Sequence, residues 1–157
     1  MSAESVHAWL QKYAPDLEFI EVQASTATVL EAAEALGVEP AQIAKSLTVR
    51  VGDQVFLLVT SGIARLDNAK AKSEFGGRPR MLGPDETYKV TGHPVGGVCP
   101  FDLPDGLPVY LDVSLKPLGT VYPAGGSLNT SVRTSPQQLF ELVGDRWVDI
   151  CKLPDPS

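Results

Sequence analysis

Apolar positions at the start of the chain follow a helical period. Val6, Trp9, Leu10 and Tyr13 fall on one face between Ser5 and Tyr13, which predicts a helix laid on a core. A short extended segment, 17–22, leads to Ser25-Thr26-Ala27-Thr28, where a hydroxyl can cap the next helix. That helix carries Val29, Ala32, Ala33 and Leu36 on one face and stops at Gly37, a residue suited to the left-handed helix end. Pro40 opens a short turn reaching Ile43, and the period then changes to two. Segments 46–51 and 54–60 read as strands joined at Gly52-Asp53, a hairpin signal.

Asp67 is placed to cap a helix through Asn68, Ala69, Ala71 and Phe75, closed by Gly76-Gly77. A strand at 80–82 and a helical turn from Pro84 to Val90 come next. The segment TGHPVGGVCPFDLPDG has too many glycines and prolines for a regular element. Its Val95, Val98 and Phe101 nevertheless prefer burial, so a shaped loop is expected. Segments 108–112, 120–122 and 129–133 read as strands, and Ser135-Pro136 starts a last helix through Leu139, Phe140 and Val143. With no internal repeat or linker, these mixed elements predict one α+β domain over residues 1–157.

Composition narrows the function. A chain of 157 residues, 43% hydrophobic and 20% charged, has the apolar content of a domain that folds unaided. It shows no long apolar run and no basic leader, so no membrane association is expected and a cytoplasmic protein is the simplest reading. Cys99 and Cys151 lie far apart and match no metal-ligand spacing, which predicts neither a disulfide nor a bound metal. The formal charge of −6 argues against DNA binding, because proteins that grip phosphates carry basic patches. Acting on RNA, such a chain would hold mainly the chemical end of the molecule.

Three features could carry chemistry. Lys45 shares the parity of Leu47, Val49 and Val51, so it should point inward; such a lysine either snorkels at the strand end or lines a site. The loop Gly92-His93-Pro94-Val95-Gly96-Gly97-Val98-Cys99-Pro100-Phe101 can bring backbone N–H groups close to a ligand, with prolines stiffening it, or can serve as an ordinary connection. The stretch from Tyr122 through Gly125, Ser127 and Asn129 to Thr130 forms either an opposite wall or a hairpin turn. His7 is expected on an exposed helix surface, and His93 has no local partners for a triad. Cys99 reads as a small buried residue, since nothing near it in sequence would lower its pKa. Asp102 and Asp105 read as solvated loop, whereas Asp112 either caps the next turn or orients a pocket group.

Together these features resemble the YbaK and prolyl-tRNA-synthetase-associated editing domain family. The resemblance runs from the helix at 26–37, through Ile43-Ala44-Lys45-Ser46-Leu47 and the loop Thr91 to Phe101, to Val109-Tyr110-Leu111-Asp112 and Pro123-Ala124-Gly125. It implies a mixed, barrel-like β-sheet with helices outside. It also implies hydrolysis of the ester joining a wrong amino acid to tRNA, with no cofactor, by a free protein or a synthetase insertion. By the same resemblance Lys45 is the residue tied to activity. The amino-acid pocket is then bounded by Gly92, His93, Pro94, Gly96, Gly97, Val98, Cys99, Pro100 and Phe101, with Thr26, Asp112, Gly125, Ser127 and Asn129 as further contacts. Gly126-Ser127-Leu128-Asn129 departs from the family, whose YbaK-like members tend to carry basic residues there.

The implied partners are the acceptor end of aminoacyl-tRNA and an aminoacyl-tRNA synthetase. In the implied mechanism Lys45 acts by charge and position, amides near Gly96 to Val98 hold the developing oxyanion, and Val98 and Phe101 limit side-chain size. Two other readings remain at this stage: a non-catalytic aminoacyl- or synthetase-binding module of the same fold, and a small-molecule esterase. The missing nucleophile counts against the esterase.

Overall fold

The computed structural model describes residues 3–154. Helix α1 (Ala3–Tyr13) buries Val6 and Leu10 and leaves His7 and Tyr13 exposed. Strand β1 (Glu18–Glu21) leads to helix α2 (Val29–Leu36), which Thr28 caps by accepting from the Glu31 N–H and Gly37 ends at φ 70°. A single 3-10 turn (Pro40–Gln42) precedes β2 (Ile43–Val51), which pairs antiparallel with β3 (Gln54–Ser61). Strand β4 (Arg65–Leu66), helix α3 (Asn68–Phe75), strand β5 (Arg80–Met81) and helix α4 (Pro84–Thr91) come next. After the long loop the chain forms β6 (Val109–Asp112), β7 (Tyr122–Pro123), β8 (Thr130–Arg133), α5 (Pro136–Val143), β9 (Arg146–Val148) and β10 (Cys151–Lys152).

The main sheet runs β5-β2-β3-β6-β9, and β7 also pairs with β2. Each face has its own apolar cluster, as period-two alternation requires. One face buries Leu57, Val59, Leu111 and Leu115 with Val6, Leu10 and Phe101, while the other buries Val49, Val51, Phe56 and Leu58 with Ala71 and Ile150. Both β5 and β7 pair with the same edge of β2, the one opposite β3. β7 takes it at Ile43 and Ala44, and β5 takes it at Val49 and Arg50. Between them no strand among the described residues pairs with this edge of β2, which leaves a gap.

The mixed sheet with helices outside is as expected, and it curls without closing into a barrel. Bridges at Val121–Thr134 and Ala124–Ser131 carry the curl on from β7 to β8, which pairs with β1. At the other end β9 pairs with β6 and with no further strand among the described residues, so the curl does not close. Strand β2 starts at Ile43, three residues earlier than expected, which puts Lys45 inside the strand. Strands β4, β9 and β10 had no counterpart in the sequence reading, because two or three residues are too few to show a period.

Gly62, just beyond β3, locks this end of the sheet. A Cβ there would strike the Pro40 carbonyl oxygen and lie 2.7 Å from Val29 Cγ1. Gly62→Ala is therefore expected to cost about 1–3 kcal/mol of stability through overpacking against backbone, measured by urea denaturation.

Candidate functional site

A cavity of about 380 Å³ opens at the gap in β2. One side is formed by Thr26, Ala27, Val29 and Ala32 at α2, and the floor by Ala44, Lys45, Ser46 and Thr48 of β2. Leu82, Pro84 and Thr87 face them, Val95, Gly96 and Val98 come from the long loop, and Tyr122, Ala124 and Ser131 close the remaining side. The lining is largely apolar with a few polar groups, as small-ligand sites usually are. Among the described residues Lys45 is its one charged side chain.

Lys45 lies on the Leu47, Val49 and Val51 side of β2, as alternation predicted, and it is half-buried. Its Nζ donates to the Ala64 carbonyl at 2.6 Å. Burial holds the ammonium below the usual lysine value of 10.5, opposed by the nearby Cys151 and reinforced by the Arg65 charge. Ser46 and Thr48 point to the other face. Thr48 is satisfied there by Thr87, hydroxyl to hydroxyl at 2.7 Å.

The long loop is anchored from within. Gly92 ends α4 at φ 76°, and the Thr91 hydroxyl donates to the Thr87 carbonyl and accepts from the His93 N–H. His93 is fully buried; its Nε2 donates to the Phe101 carbonyl at 2.8 Å, and burial lowers its pKa. Cys99 lies beneath it, with Sγ 3.6 Å from Nε2, and burial pushes the thiol up to about 12, which leaves no nucleophile there. The Gly97 N–H donates to the Pro94 carbonyl, folding the turn that presents Gly96 at φ 93°. A Cβ on Gly97 would fall 2.8 Å from the Ser127 nitrogen, so the two walls touch backbone to backbone.

Of the expected contacts, Thr26, Lys45, Gly96 and Val98 line the cavity, whereas Gly92, His93, Pro94, Gly97, Cys99 and Pro100 support the loop behind it. Phe101 is corrected from a gate on substrate size to a core residue. It is fully buried, with its ring 5.9 Å from that of Trp9. Asp112 caps the 3-10 turn Val113–Leu115 and also accepts from the Ile150 N–H, away from the cavity. Gly125 packs on Thr130 and Phe19, Ser127 shares a hydrogen bond with Thr130, and Asn129 donates to the Val22 carbonyl. These three build the turn that backs Gly97. Asp105 is exposed, as expected, while Asp102 is half-buried with φ 54°. Ser46, Thr48 and Thr87 were missed, because Ser46, Thr48 and Arg50 alternate with the apolar positions and read as a solvent face.

The fold and cavity define a small α+β domain with a largely apolar chamber that carries a lysine. A model of the aminoacyl-tRNA editing domain family matches residues 23–142, and the chain belongs to that family. It is 46% identical over 154 residues to the uncharacterised protein YwhH of Bacillus subtilis (strain 168), covering 97% of this chain and 98% of that protein. It is 31% identical over 134 residues to the proline–tRNA ligase of Shouchella clausii (strain KSM-K16), covering 83% of this chain but 23% of the ligase. A solved structure described as a candidate trans-editing enzyme for prolyl-tRNA synthetase superposes with a TM-score of 0.86 at 36% identity, covering 96% of each chain.

Because Phe101 is core, Phe101→Ala is expected to destabilise the protein by about 3–5 kcal/mol through the cavity it leaves. Guanidinium unfolding measures this.

Proposed function

We propose that this protein is a trans-acting aminoacyl-tRNA deacylase that hydrolyses the ester of a mischarged tRNA carrying a small amino acid, proline tRNA among the candidates. The observation that carries this reading is the cavity at the β2 gap, where the Lys45 ammonium shares a largely apolar chamber with Val95, Gly96 and Val98 of the long loop. The similarity to a segment of a proline–tRNA ligase supports the choice of tRNA, and the full-length match to a separate Bacillus protein supports action in trans. A cytoplasmic location is part of this proposal, since tRNA is its substrate. No described helix is long and apolar enough to cross a membrane.

An aminoacyl ester is already activated, so the reaction needs a positioned water and a stabilised oxyanion, with no protein nucleophile and no cofactor. Lys45 supplies fixed positive charge at the carbonyl or terminal phosphate end of the ester. In the free protein the Ala64 carbonyl holds that charge in place. The amides of Gly96 and Val98 face the developing oxyanion, and Val98 bounds the amino-acid side chain. With a net charge of −6, the protein grips the acceptor end and leaves the body of the tRNA to a synthetase partner.

A panel of mischarged tRNAs tests this reading. Wild-type protein is expected to deacylate at least one of the alanyl, seryl, threonyl and cysteinyl species, and Lys45→Ala to lose on the order of 100-fold in kcat/KM. Full activity in the Lys45 variant would rule out its role. The pH profile gives a second check. Lysine is charged below its pKa, and burial moves that pKa down from 10.5. The rate, corrected for spontaneous ester hydrolysis, should therefore fall as pH rises through a point below 10.5.

A further inference from the structure

The only buried carboxylate among the described residues is Asp112, at the end of β6. It joins no ion pair among those residues. Burying a carboxylate is costly unless donors take its oxygens, and here both are taken. Oδ2 accepts from the Ser114 N–H and Oδ1 from the Ile150 N–H, each at 3.0 Å. Capping the 3-10 turn uses the first of these alone, and a serine or asparagine would suffice for it. The second ties that turn to a segment 38 residues away. Asparagine could not serve both, because its amide would turn a donor toward one of the two N–H groups.

The two arms meet again at the seat of Lys45. Along the first, the Ser114 hydroxyl shares a hydrogen bond with Thr60, the residue opposite Lys45 across the β2–β3 pairing, and accepts from the Ser61 N–H. Ser61 starts the turn 61–64, in which the Ala64 N–H donates to the Ser61 carbonyl and the Ala64 carbonyl accepts from Lys45 Nζ. Along the second arm, Ile150 leads into β10, whose Cys151 and Lys152 pair with Leu66 and Arg65 of β4, directly after that turn. The Ile150 carbonyl also accepts from the Asp67 N–H. The Cys151 thiol feels the charges of both Asp112 and Lys45. One carboxylate therefore grips the segment 61–67 before and after the carbonyl that receives the ammonium.

We propose that Asp112 is a positioning residue for Lys45, holding the ammonium at the cavity by bracing from both sides the turn whose Ala64 carbonyl seats it. The inference rests on the deacylase reading and adds what keeps the charge of that site in place. Lysine carries a point charge on a flexible stem, so its position is only as fixed as its acceptor. A displacement of about 1 Å at a reacting centre can cost on the order of 100-fold in rate.

The test compares Asp112→Asn and Ser114→Ala with Asp145→Asn. Asp145 also accepts a backbone N–H, that of Val109 at the opposite end of β6, and has no link to the turn 61–64. On whichever panel ester wild-type protein turns over fastest, Asp112→Asn is expected to lower kcat about tenfold or more and to change KM less than about twofold. Added to Lys45→Ala, the same substitution should cost less than about twofold, because its effect passes through the lysine. Ser114→Ala, which cuts one arm, should lose about threefold, and Asp145→Asn should keep the wild-type kcat even where its thermal midpoint falls. A second readout is independent of turnover. In protein labelled with 13C-lysine, the Cε resonance absent from Lys45→Ala should move in Asp112→Asn and Ser114→Ala and stay in place in Asp145→Asn. A resonance unmoved in both brace variants, an equal loss of rate with and without Lys45, or a loss in Asp145→Asn matching that in Asp112→Asn would overturn the proposal. If Asp112→Asn does not fold, Ser114→Ala decides by the same resonance. Absence of wild-type turnover on every panel ester would overturn the deacylase reading instead, while the resonance still reports whether Asp112 positions Lys45.

Discussion

The arrangement depends on how one strand edge is shared. Strand β2 offers its outer edge to two short partners of opposite direction, parallel β7 at Ile43 and Ala44 and antiparallel β5 at Val49 and Arg50. Two strands approaching one edge from opposed directions cannot meet without a break. Backbone polar groups left at such a break need water or a ligand. The cavity is that break roofed over by α2, α4 and the glycine-rich loop. Its chemistry follows from which side chains alternate along β2 at the gap, with Lys45 on one face and Ser46 on the other.

The roof in turn needs a loop that holds its shape without regular secondary structure. His93 and Cys99 provide this by burial, with the Phe101 carbonyl accepting from the imidazole and the Phe101 ring packed into the core beside Trp9. Val95, Gly96 and Val98 remain at the surface of the cavity. The loop thus works as a strut with one working face, which explains why so few of its residues touch the chamber.

Much of this was legible in the sequence. Helices announced themselves through caps at Thr28, Asp67 and Ser135 and through glycine stops at Gly37 and Gly76. The inward direction of Lys45 followed from parity alone. Sheet closure was not legible, since it depends on strands of two or three residues and on where their pairing stops. Within the loop, sequence could not separate residues that line a chamber from residues that anchor its wall, because Val98 and Phe101 look alike on paper. Ser46 was hidden because a polar residue alternating with apolar ones reads as solvent-facing, and only the gap beside it gives it an interior.

The contact between Gly97 and Ser127 bears on how such a chamber could change over evolutionary time. Backbone meets backbone there with no room for a methyl group, so this seam cannot be adjusted by small steps. Elsewhere the wall is made by side chains, such as Ala27, Leu82 and Val98. Under the deacylase proposal, relatives that accept different amino acids are expected to vary in these side chains while the seam stays fixed, a rigid line around which substrate range is free to drift.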